Sequence, residues 1–351
     1  MTNPGLEGVI VADTRISDVD GERGKLVIAG ADVEQLAAAT PFEGAVARVL
    51  GAGGVDPAVI TPAVIGAARA AAWEVVPRVG DALEHVDGMD ALRTALGHVR
   101  ASGDDVRDAI AVIGAAPVFV AAWSRRRMRQ APVAPDPGMG HAADYLRMTT
   151  GEAAGGDAVR ALDAYLVTVI DHAMSASTFT ARVIASTASD LISSVVGAVG
   201  ALKGPLHGGA PGPVLDMLDA VGEDPEAWLL GELGAGRRIM GMGHRVYRVR
   251  DPRAAVLEEA VRPLASPRLA QARAVERAAA KILRERKPDR PLAANVEFYT
   301  AVLLDAVGLP REQFSATFAV SRIAGWSAHV IEQRRTGRLI RPASHYSGAM
   351  P

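Results

Sequence analysis

Apolar residues recur at intervals of three and four along most of the chain after residue 32, which is the repeat of an amphipathic α-helix. Glycine and proline separate the apolar segments and set their ends. The pattern predicts helices over segments 32–50, 57–76, 90–102, 106–129, 158–186 and 189–202. The stretch 130–141 holds three prolines and two glycines and is predicted to be a loop.

The β structure predicted from this pattern is confined to the N-terminal region. Two short apolar runs, 9–12 and 26–29, flank a turn-rich stretch that contains Asp20 and Gly21, and such runs are typical of strands joined by a turn. Between residues 213 and 309 the chain is more polar and its helical segments are shorter. We therefore expect an all-α protein with a short N-terminal β region and two helical parts of different size.

The composition fits helices packed closely around small side chains. The 351 residues are 49% hydrophobic but only 4% aromatic, and alanine is abundant. The formal net charge is −2, which argues against a nucleic-acid-binding protein because such proteins carry a clear basic surface. A local basic site for a phosphorylated ligand is compatible with this charge.

The residue content excludes several kinds of site. The chain has no cysteine, so disulfides, thiolate metal sites and cysteine nucleophiles are excluded. The histidines show no metal-ligand spacing, and no phosphate-binding P-loop is present. Residues 1–8 lack the basic and apolar parts of a signal peptide, and charged residues interrupt the apolar stretch 161–202. We therefore expect a cytoplasmic protein that does not span a membrane.

The segment from Gly243 to Arg253 brings an imidazole and four arginines together in the sequence. Asp251 is predicted to cap a helix whose first residue is Pro252. Arg253 would then lie in the first turn, where free backbone N–H groups and the helix dipole favour anions. A histidine donor beside a guanidinium suits a small substrate that carries both a carbonyl and a carboxylate.

A second histidine is predicted to lie on a loop. Gly204 and Pro205 end the helix predicted over 189–202, because glycine commonly terminates helices and proline cannot continue them. His207 follows on this loop and precedes two glycines. Loops held between rigid helices are favoured positions for catalytic groups, although an isolated histidine is more often structural.

Five separated motifs resemble those of the citrate synthase family and occur in the family's order. They are the N-terminal segment 5–36, the histidine loop 202–210, the segment 243–253, the segment 295–299, and the C-terminal segment 322–326 followed by Arg341 and Pro342. Together they extend over nearly the whole chain, so the resemblance does not depend on one short motif.

The resemblance implies the all-α, two-domain citrate synthase-like fold. The large helical domain would comprise residues 1–212 and 313–351, and a smaller helical domain, residues 213–312, would be inserted between these two parts. The resemblance also implies a homodimer in which an arginine near the C-terminus reaches the neighbouring subunit's site.

The same resemblance assigns the chemistry to His207, His244 and Glu297. His207 would donate a hydrogen bond to the thioester carbonyl of acetyl-CoA, and His244 would polarise the ketone of oxaloacetate. Glu297 would be the general base that removes a proton from the acetyl methyl group. The family usually has aspartate at this position, so the carboxylate of this chain lies one methylene further from its backbone.

Glu297 also has a purely structural explanation. Asn295 is predicted to cap the helix that follows it, which places Glu297 in the first helical turn, where acids are common as partners of the helix dipole. The helix N-terminus is expected to keep this carboxylate ionised at neutral pH.

The substrate contacts are likewise implied by the resemblance. His172, Arg253, Arg322 and Arg341 match residues that hold oxaloacetate, with Arg341 acting in the neighbouring subunit's site. His172 is expected to lie on an apolar helix.

CoA contacts and cofactors complete the set of expectations. Arg248 matches an arginine that contacts CoA in the family, while Lys203 and Arg250 lie near the histidine motifs and are further candidates. No metal and no permanently bound cofactor are expected, because the CoA thioester is a co-substrate.

Two activities and one binding function stay open at this point. The first is condensation of acetyl-CoA with oxaloacetate to give citrate, the citrate synthase reaction of the tricarboxylic acid cycle. The second is 2-methylcitrate synthesis from propionyl-CoA, because one methylene in an apolar pocket changes binding by only ~1–3 kcal/mol. The third is a protein that binds CoA or dicarboxylates without efficient turnover, which would fit the departures from the family pattern at Ser175, Pro211 and Glu297.

Overall fold

The computed structural model describes residues 5, 6, 8–208, 211–286 and 292–349. Over these residues the chain forms three short strands and fifteen α-helices. The strands are β1 (Ser17–Asp20), β2 (Lys25–Ile28) and β3 (Ala31–Asp32). The helices are α1 (Val33–Ala39), α2 (Phe42–Ala52), α3 (Pro62–Trp73), α4 (Gly88–Leu96), α5 (Asp105–Arg127), α6 (His141–Thr150), α7 (Gly156–Thr168), α8 (Ala176–Ser186), α9 (Leu191–Leu202), α10 (Pro211–Ala220), α11 (Pro225–Gly234), α12 (Pro252–Val261), α13 (Pro267–Arg286), α14 (Val296–Ala306) and α15 (Phe314–Thr336). The all-α expectation is confirmed.

The three strands form one antiparallel sheet in the order β1-β2-β3, with Ser17 opposite Ile28. The strand predicted over 9–12 is wrong, because the first strand begins five residues after that run ends. Val9 and Ile10 are 47% and 88% exposed, so those apolar residues gain nothing from pairing, whereas Ile16 and Leu26 are fully buried. Burial beneath the sheet, and not the apolar pattern alone, therefore selects the strand.

Several predicted helices are divided in the structure. The segment 32–50 splits into α1 and α2 at Thr40 and Pro41, since the residue before proline avoids the helical region. The segment 57–76 becomes a short 3-10 turn and then α3, which Thr61 caps through the backbone N–H of Val64. Helix α6 was not predicted from the sequence.

The segment 158–186 is also divided, and this division matters for function. Helix α7 ends at Thr168 and α8 begins at Ala176, so residues 169–175 form an irregular break. The prediction that His172 lies on a helix is therefore wrong: it lies in the middle of this break.

Helices α5 and α15 lie at the centre of the helices that precede α10 in the sequence. α5 packs against α3, α4, α6 and α15, while α15 also packs against α2, α8 and α9. Trp123 of α5 and Trp326 of α15 are both fully buried. Among the described residues, α5 is the one helix long and apolar enough to cross a membrane, and most of it is buried inside the protein.

The later helices pack against one another and against α7. α14 contacts α10, α12 and α13, while α12 and α14 both contact α7. The loop before α12 and the N-terminus of α14 therefore lie near the break that follows α7. The domain boundaries at residues 212 and 312 stay predictions.

Candidate active site

Short hydrogen bonds hold the loop of His244 against the start of α14. Gly243 donates its backbone N–H to Ala293 over 2.7 Å, and Asn295 donates its own to Gly241 over 2.9 Å. The side-chain amide of Asn295 donates to the backbone oxygen of Gly243 over 2.8 Å. Segments distant in sequence are thereby joined where both carry predicted catalytic groups.

His244 is held as a neutral imidazole with a defined tautomer. Its Nδ1 accepts hydrogen bonds from the backbone N–H groups of Val246, at 3.0 Å, and Tyr247, at 3.1 Å. Because Nδ1 is an acceptor, the ring proton of the neutral form lies on Nε2. Burial and the nearby charge of Arg253 lower the pKa of His244 to about 4. Nε2–H is therefore a hydrogen-bond donor throughout the neutral pH range.

His172, His244 and Tyr247 form an aromatic cluster. The ring centroids of His172 and His244 are 5.5 Å apart, and those of His244 and Tyr247 are 4.7 Å apart. Nε2 of His172 is hydrogen-bonded to the Tyr247 hydroxyl over 3.2 Å. Burial, followed by the charges of Arg253 and Arg322, holds the pKa of His172 well below its usual range. The structure thus brings the two histidines together, in agreement with the sequence-based expectation.

His207 lies on the loop after α9, as predicted, and its tautomer is also defined. Its Nε2 accepts from the backbone N–H of Ser177 over 3.2 Å and lies 2.8 Å from the Ser177 hydroxyl oxygen. That hydroxyl accepts from the indole N–H of Trp326 over 3.1 Å and lies 3.2 Å from the Ser175 hydroxyl oxygen; the backbone N–H of Ser177 by itself fixes Nε2 of His207 as an acceptor. Nδ1 then carries the ring proton and is the donor of the neutral ring. Burial and the charge of Arg322 lower the pKa of His207 to about 4.

Glu297 occupies the first turn of α14, where the predicted cap is confirmed: Asn295 Oδ1 accepts from the backbone N–H of Glu297 over 3.0 Å. The side chain is only 9% exposed, and its Oε2 has no hydrogen-bond partner among the described residues. Burial raises the pKa of Glu297 to about 7, although the charges of Arg253 and Arg322 oppose the increase. The helix terminus is expected to help keep this carboxylate ionised; burial raises its pKa all the same, so the carboxyl group is close to half protonated near neutral pH.

Arg253 is buried and held by the residue predicted to cap its helix. Asp251 accepts the backbone N–H of Arg253, which confirms the cap. Its two carboxylate oxygens also accept from Nε of Arg253, at 3.0 Å, and Nη2, at 2.8 Å. Oδ2 of Asp251 additionally accepts from the backbone N–H of Val296 over 3.1 Å. Asp251 therefore fixes both the arginine and the start of α14.

Arg322 is the other buried arginine of the site, with 1% of its surface exposed. Nε donates to the backbone oxygen of Val169 over 2.7 Å, and the guanidinium carbon lies 4.7 Å from the centre of the Phe318 ring. Nη2 has no partner among the described residues. Burial lowers its pKa to about 10, so the group stays charged near neutral pH. A buried cation with a free N–H donor is a strong site for a carboxylate.

Two of the three expected CoA contacts have other partners. Nζ of Lys203 pairs with Asp90 and lies 3.5 Å from Asp87. Nε of Arg250 donates to Glu276 over 2.7 Å, and its Nη2 donates to Glu258 over 2.7 Å. These positive charges are already matched by carboxylates, which argues against a phosphate contact for either group.

Arg248 and Arg341 lie on the exposed part of the chain. Arg248 is exposed beside the His244 loop, and its nearest acid, Glu22, lies 3.9 Å away. Arg341 lies in the irregular C-terminal stretch and is exposed. The single subunit does not bring Arg341 to the other site residues through any hydrogen bond within its described part. Its action in a neighbouring subunit stays a prediction.

The sequence did not reveal the supporting residues Ser177 and Tyr247. Ser177 lies in the first turn of α8, which Ser175 caps by accepting from Thr178, and it is 30 residues from His207. No local pattern connects residues so far apart. Within the described residues no cluster of histidine and acidic side chains could hold a metal ion.

Comparison with known proteins places the chain in a family. The family profile described as citrate synthase, C-terminal domain, matches residues 5–343. A putative citrate synthase 2 of Mycobacterium tuberculosis is 39% identical over 362 residues, which cover 99% of this chain and 93% of the relative. A 2-methylcitrate synthase of the same organism is 34% identical over 367 residues, which cover 98% and 90%.

Solved structures agree with this relationship. Citrate synthase from Thermotoga maritima has a TM-score of 0.86 and 33% identity, and the match covers 100% of this chain and 97% of that one. The ternary complex of carboxymethyl coenzyme A and oxaloacetate with citrate synthase from Thermoplasma acidophilum also has a TM-score of 0.86, at 26% identity and the same coverage. The chain belongs to the citrate synthase family and is an acyltransferase with the helical fold of that family.

Proposed function

We propose that this protein condenses acetyl-CoA with oxaloacetate and water, giving citrate and free CoA, with Glu297 as the general base. One observation carries the proposal. A buried carboxylate with a pKa of about 7 accompanies two neutral imidazoles, each with one fixed N–H donor. A base poised near the working pH and two oriented donors are what enolisation and condensation require.

Oxaloacetate binds first in this proposal, through Arg253, Arg322 and His172. Arg322 is buried and its Nη2 has no partner among the described residues, so it offers a carboxylate a dry, positive donor. Arg253 is also buried, but Asp251 already accepts from its Nε and Nη2, so its Nη1 is the donor proposed for the substrate. The homodimer supplies a further cation, Arg341 of the partner subunit. Binding closes the smaller helical part, residues 213–312, over the larger one, which excludes water from the reacting groups.

The first chemical step is enolisation of acetyl-CoA. Glu297 removes a proton from the acetyl methyl group while Nδ1–H of His207 donates to the thioester oxygen. The donor is fixed before the reaction because Ser177 occupies the other ring nitrogen. Preorganised donors stabilise developing oxygen charge without reorganisation during the step.

The second step forms the new carbon–carbon bond. The enol carbon attacks the ketone carbon of oxaloacetate, and the ketone oxygen takes up a proton from Nε2 of His244. Water then attacks the thioester carbon of citryl-CoA, the carbon–sulfur bond breaks, and CoA leaves as the thiol. The resident groups needed are all side chains of this chain, so we propose no permanently bound cofactor, with CoA as co-substrate.

Of the three candidate CoA-binding residues, Arg248 is the one whose surroundings best support contact with CoA. It is exposed beside the loop of His244, and its carboxylate neighbour, the exposed Glu22, lies 3.9 Å from its Nε, further than the acids that hold Lys203 and Arg250. An exposed guanidinium at the edge of the site suits the phosphates of CoA. We place the reaction in the cytoplasm.

A second candidate is 2-methylcitrate synthesis from propionyl-CoA. A relative with that name is 34% identical over 98% of this chain. The residues that contact the reacting groups would be the same, and only the space for one further methyl group would differ. Such a difference changes acyl-CoA discrimination by ~1–3 kcal/mol.

CoA release from acetyl-CoA and from propionyl-CoA, each with oxaloacetate, tests the proposal. We expect a higher kcat/KM for acetyl-CoA, and Glu297→Gln should lower kcat at least ~100-fold. Glu43→Gln is the matched control, because Glu43 is also buried but accepts from the backbone N–H of His141 on α6. A propionyl-CoA preference would support 2-methylcitrate synthesis. Oxaloacetate binding without release of CoA from either thioester would overturn both activities.

A further inference from the structure

A network of hydrogen-bonded, buried polar side chains connects the break between α7 and α8 with the C-terminal part of α15. Asp171 and His329 are fully buried, and Arg182 is 1% exposed. Nε of Arg182 donates to Nδ1 of His329 over 3.0 Å, and Nε2 of His329 lies 3.3 Å from Oδ2 of Asp171. These three side chains come from three different parts of the fold: the break, α8 and α15.

The direction of these hydrogen bonds is fixed by Arg182. An arginine has only donors, so Nδ1 of His329 must accept. The ring proton of neutral His329 therefore lies on Nε2 and is donated to Asp171. At the other end, Arg182 pairs with Glu332 and donates to Oε1 of Gln333 over 2.9 Å. Arg182 is thus the cation between two carboxylates: it pairs with Glu332 directly, and His329 connects it to Asp171.

Asp171 in turn fixes the backbone of the break. The hydroxyl of Ser17, at the start of β1, donates to Asp171, and the backbone N–H of Ala173 donates to that hydroxyl oxygen over 2.7 Å. Ala173 has a φ of 49°, a left-handed conformation that a residue with a side chain adopts at a cost. His172 lies between Asp171 and Ala173, so its ring position depends on these contacts.

Helix α15 holds the same break at two points. Arg322 donates to the backbone oxygen of Val169 over 2.7 Å, and His329 contacts Asp171. Arg322 and His329 are seven residues apart, which places them on one face of the helix. The break is therefore clamped to the helix that supplies a predicted oxaloacetate arginine.

We propose that Asp171, His329 and Arg182 are positioning residues for oxaloacetate. They hold His172 and Arg322 in the relative positions that binding of this substrate requires. The proposal rests on the proposed function, because it assigns these two residues to that substrate. None of the three touches the substrate. Burial alone would raise the pKa of Asp171, but His329 and Arg322 lower it overall, so the carboxylate stays ionised and keeps its hydrogen bonds to Ser17 and His329.

Replacing His329 tests the proposal. His329→Phe keeps the ring volume but removes both hydrogen bonds, and we expect KM for oxaloacetate to rise between about 10-fold and 100-fold, since small displacements of binding groups have effects of that size. We expect kcat at saturating oxaloacetate to change much less. His329→Gln retains a side-chain N–H donor and should restore most of the affinity.

His141→Phe is the matched control. His141 is equally buried, on α6, with its Nδ1 3.5 Å from Arg69 and no hydrogen bond to residues 169–175 among the described residues. We expect this exchange to lower Tm without changing KM for oxaloacetate. If His329 had a merely structural role, His329→Phe would act like His141→Phe and lower Tm without changing KM for oxaloacetate. That outcome would overturn the proposal.

Ser17→Ala provides a second test if His329→Phe fails to fold. It removes the hydroxyl that joins Asp171 to Ala173, and calorimetric titration with oxaloacetate should show weaker binding. An unchanged Kd in folded Ser17→Ala would also overturn the proposal. Failure of the proposed function is separate, because it would appear as absent CoA release in the unaltered protein.

Discussion

The side-chain amide of Asn295 donates to the backbone oxygen of Gly243 over 2.8 Å, across 52 residues of sequence. The other side-chain atom, Oδ1, accepts from the backbone N–H of Glu297 over 3.0 Å. One side chain therefore connects the loop that carries His244 with the helix turn that carries Glu297. The distance between the proposed base and the proposed ketone donor depends on this residue.

Replacing Asn295 should separate capping from the connection between the two segments. Asn295→Ala removes both and should lower the free energy of unfolding by about 1 kcal/mol, with a decrease in kcat. Asn295→Asp keeps an N-cap but replaces the amide donor by an oxygen facing Gly243, so kcat should still fall. Urea unfolding and CoA release measure the two effects. Asp190→Ala, which removes the cap of α9, is the control; equal kcat for Asn295→Asp and the unaltered protein would contradict the prediction.

The pH dependence of kcat/KM should report Glu297. Burial raises its pKa to about 7, and a base must be unprotonated to act. Activity should therefore increase with pH up to about 7 and level off above it, with a tenfold fall per pH unit on the acid side. Initial rates between pH 5 and pH 9 measure this profile.

Neither His207 nor His244 should contribute to the acid side of this pH profile, its acid limb. The pKa of His207 and that of His244 are both lowered to about 4 by burial, so both stay neutral where Glu297 titrates. An acid limb at the ordinary pKa of glutamate would show that Glu297 is not desolvated in the working enzyme. A profile unchanged in shape in a residually active Glu297→Gln variant would assign the limb to another group.

Arg250 and Arg248 should give opposite results when replaced. Arg250 donates to Glu276 and Glu258, so Arg250→Met should lower the free energy of unfolding by about 1 kcal/mol and leave KM for acetyl-CoA unchanged. Arg248→Met should leave stability unchanged and raise KM for acetyl-CoA. Thermal unfolding and initial rates measure both. A large increase in KM for Arg250→Met would contradict this assignment.

Local signals predicted the parts of the site that depend on short-range chemistry. Asp251 and Asn295 cap their helices as expected, because a short polar side chain before a helical segment binds the free N–H groups of the first turn. His207 lies on the loop that Gly204 and Pro205 predict. The helical repeat gave the all-α class and the existence of most helices.

Long-range contacts determine what the sequence did not show. The break at residues 169–175 contains neither proline nor glycine, so nothing local predicts it. Asp171 is bonded to Ser17 and His329, which are 154 and 158 residues away. The acceptors of Arg250 are Glu258 and Glu276, 8 and 26 residues along the chain, and no local pattern pairs them with this arginine, so a phosphate contact could not be distinguished from an ion pair. The burial that raises the pKa of Glu297 also depends on residues distant in the sequence, so no local pattern predicts it.

Glu297→Asp tests whether this fold is built for the longer side chain. Aspartate is the family's usual residue, but α14 and its caps hold the backbone of residue 297 where it stands. Removing one methylene withdraws the carboxylate by about 1 Å or more from the acetyl methyl group, and misplacement of that size lowers rates ~100-fold. We expect kcat to fall by about this factor while oxaloacetate binding and Tm stay unchanged. A kcat equal to or above that of the unaltered protein would mean that Glu297 reaches the substrate in a bent conformation, with a backbone position that serves either acid.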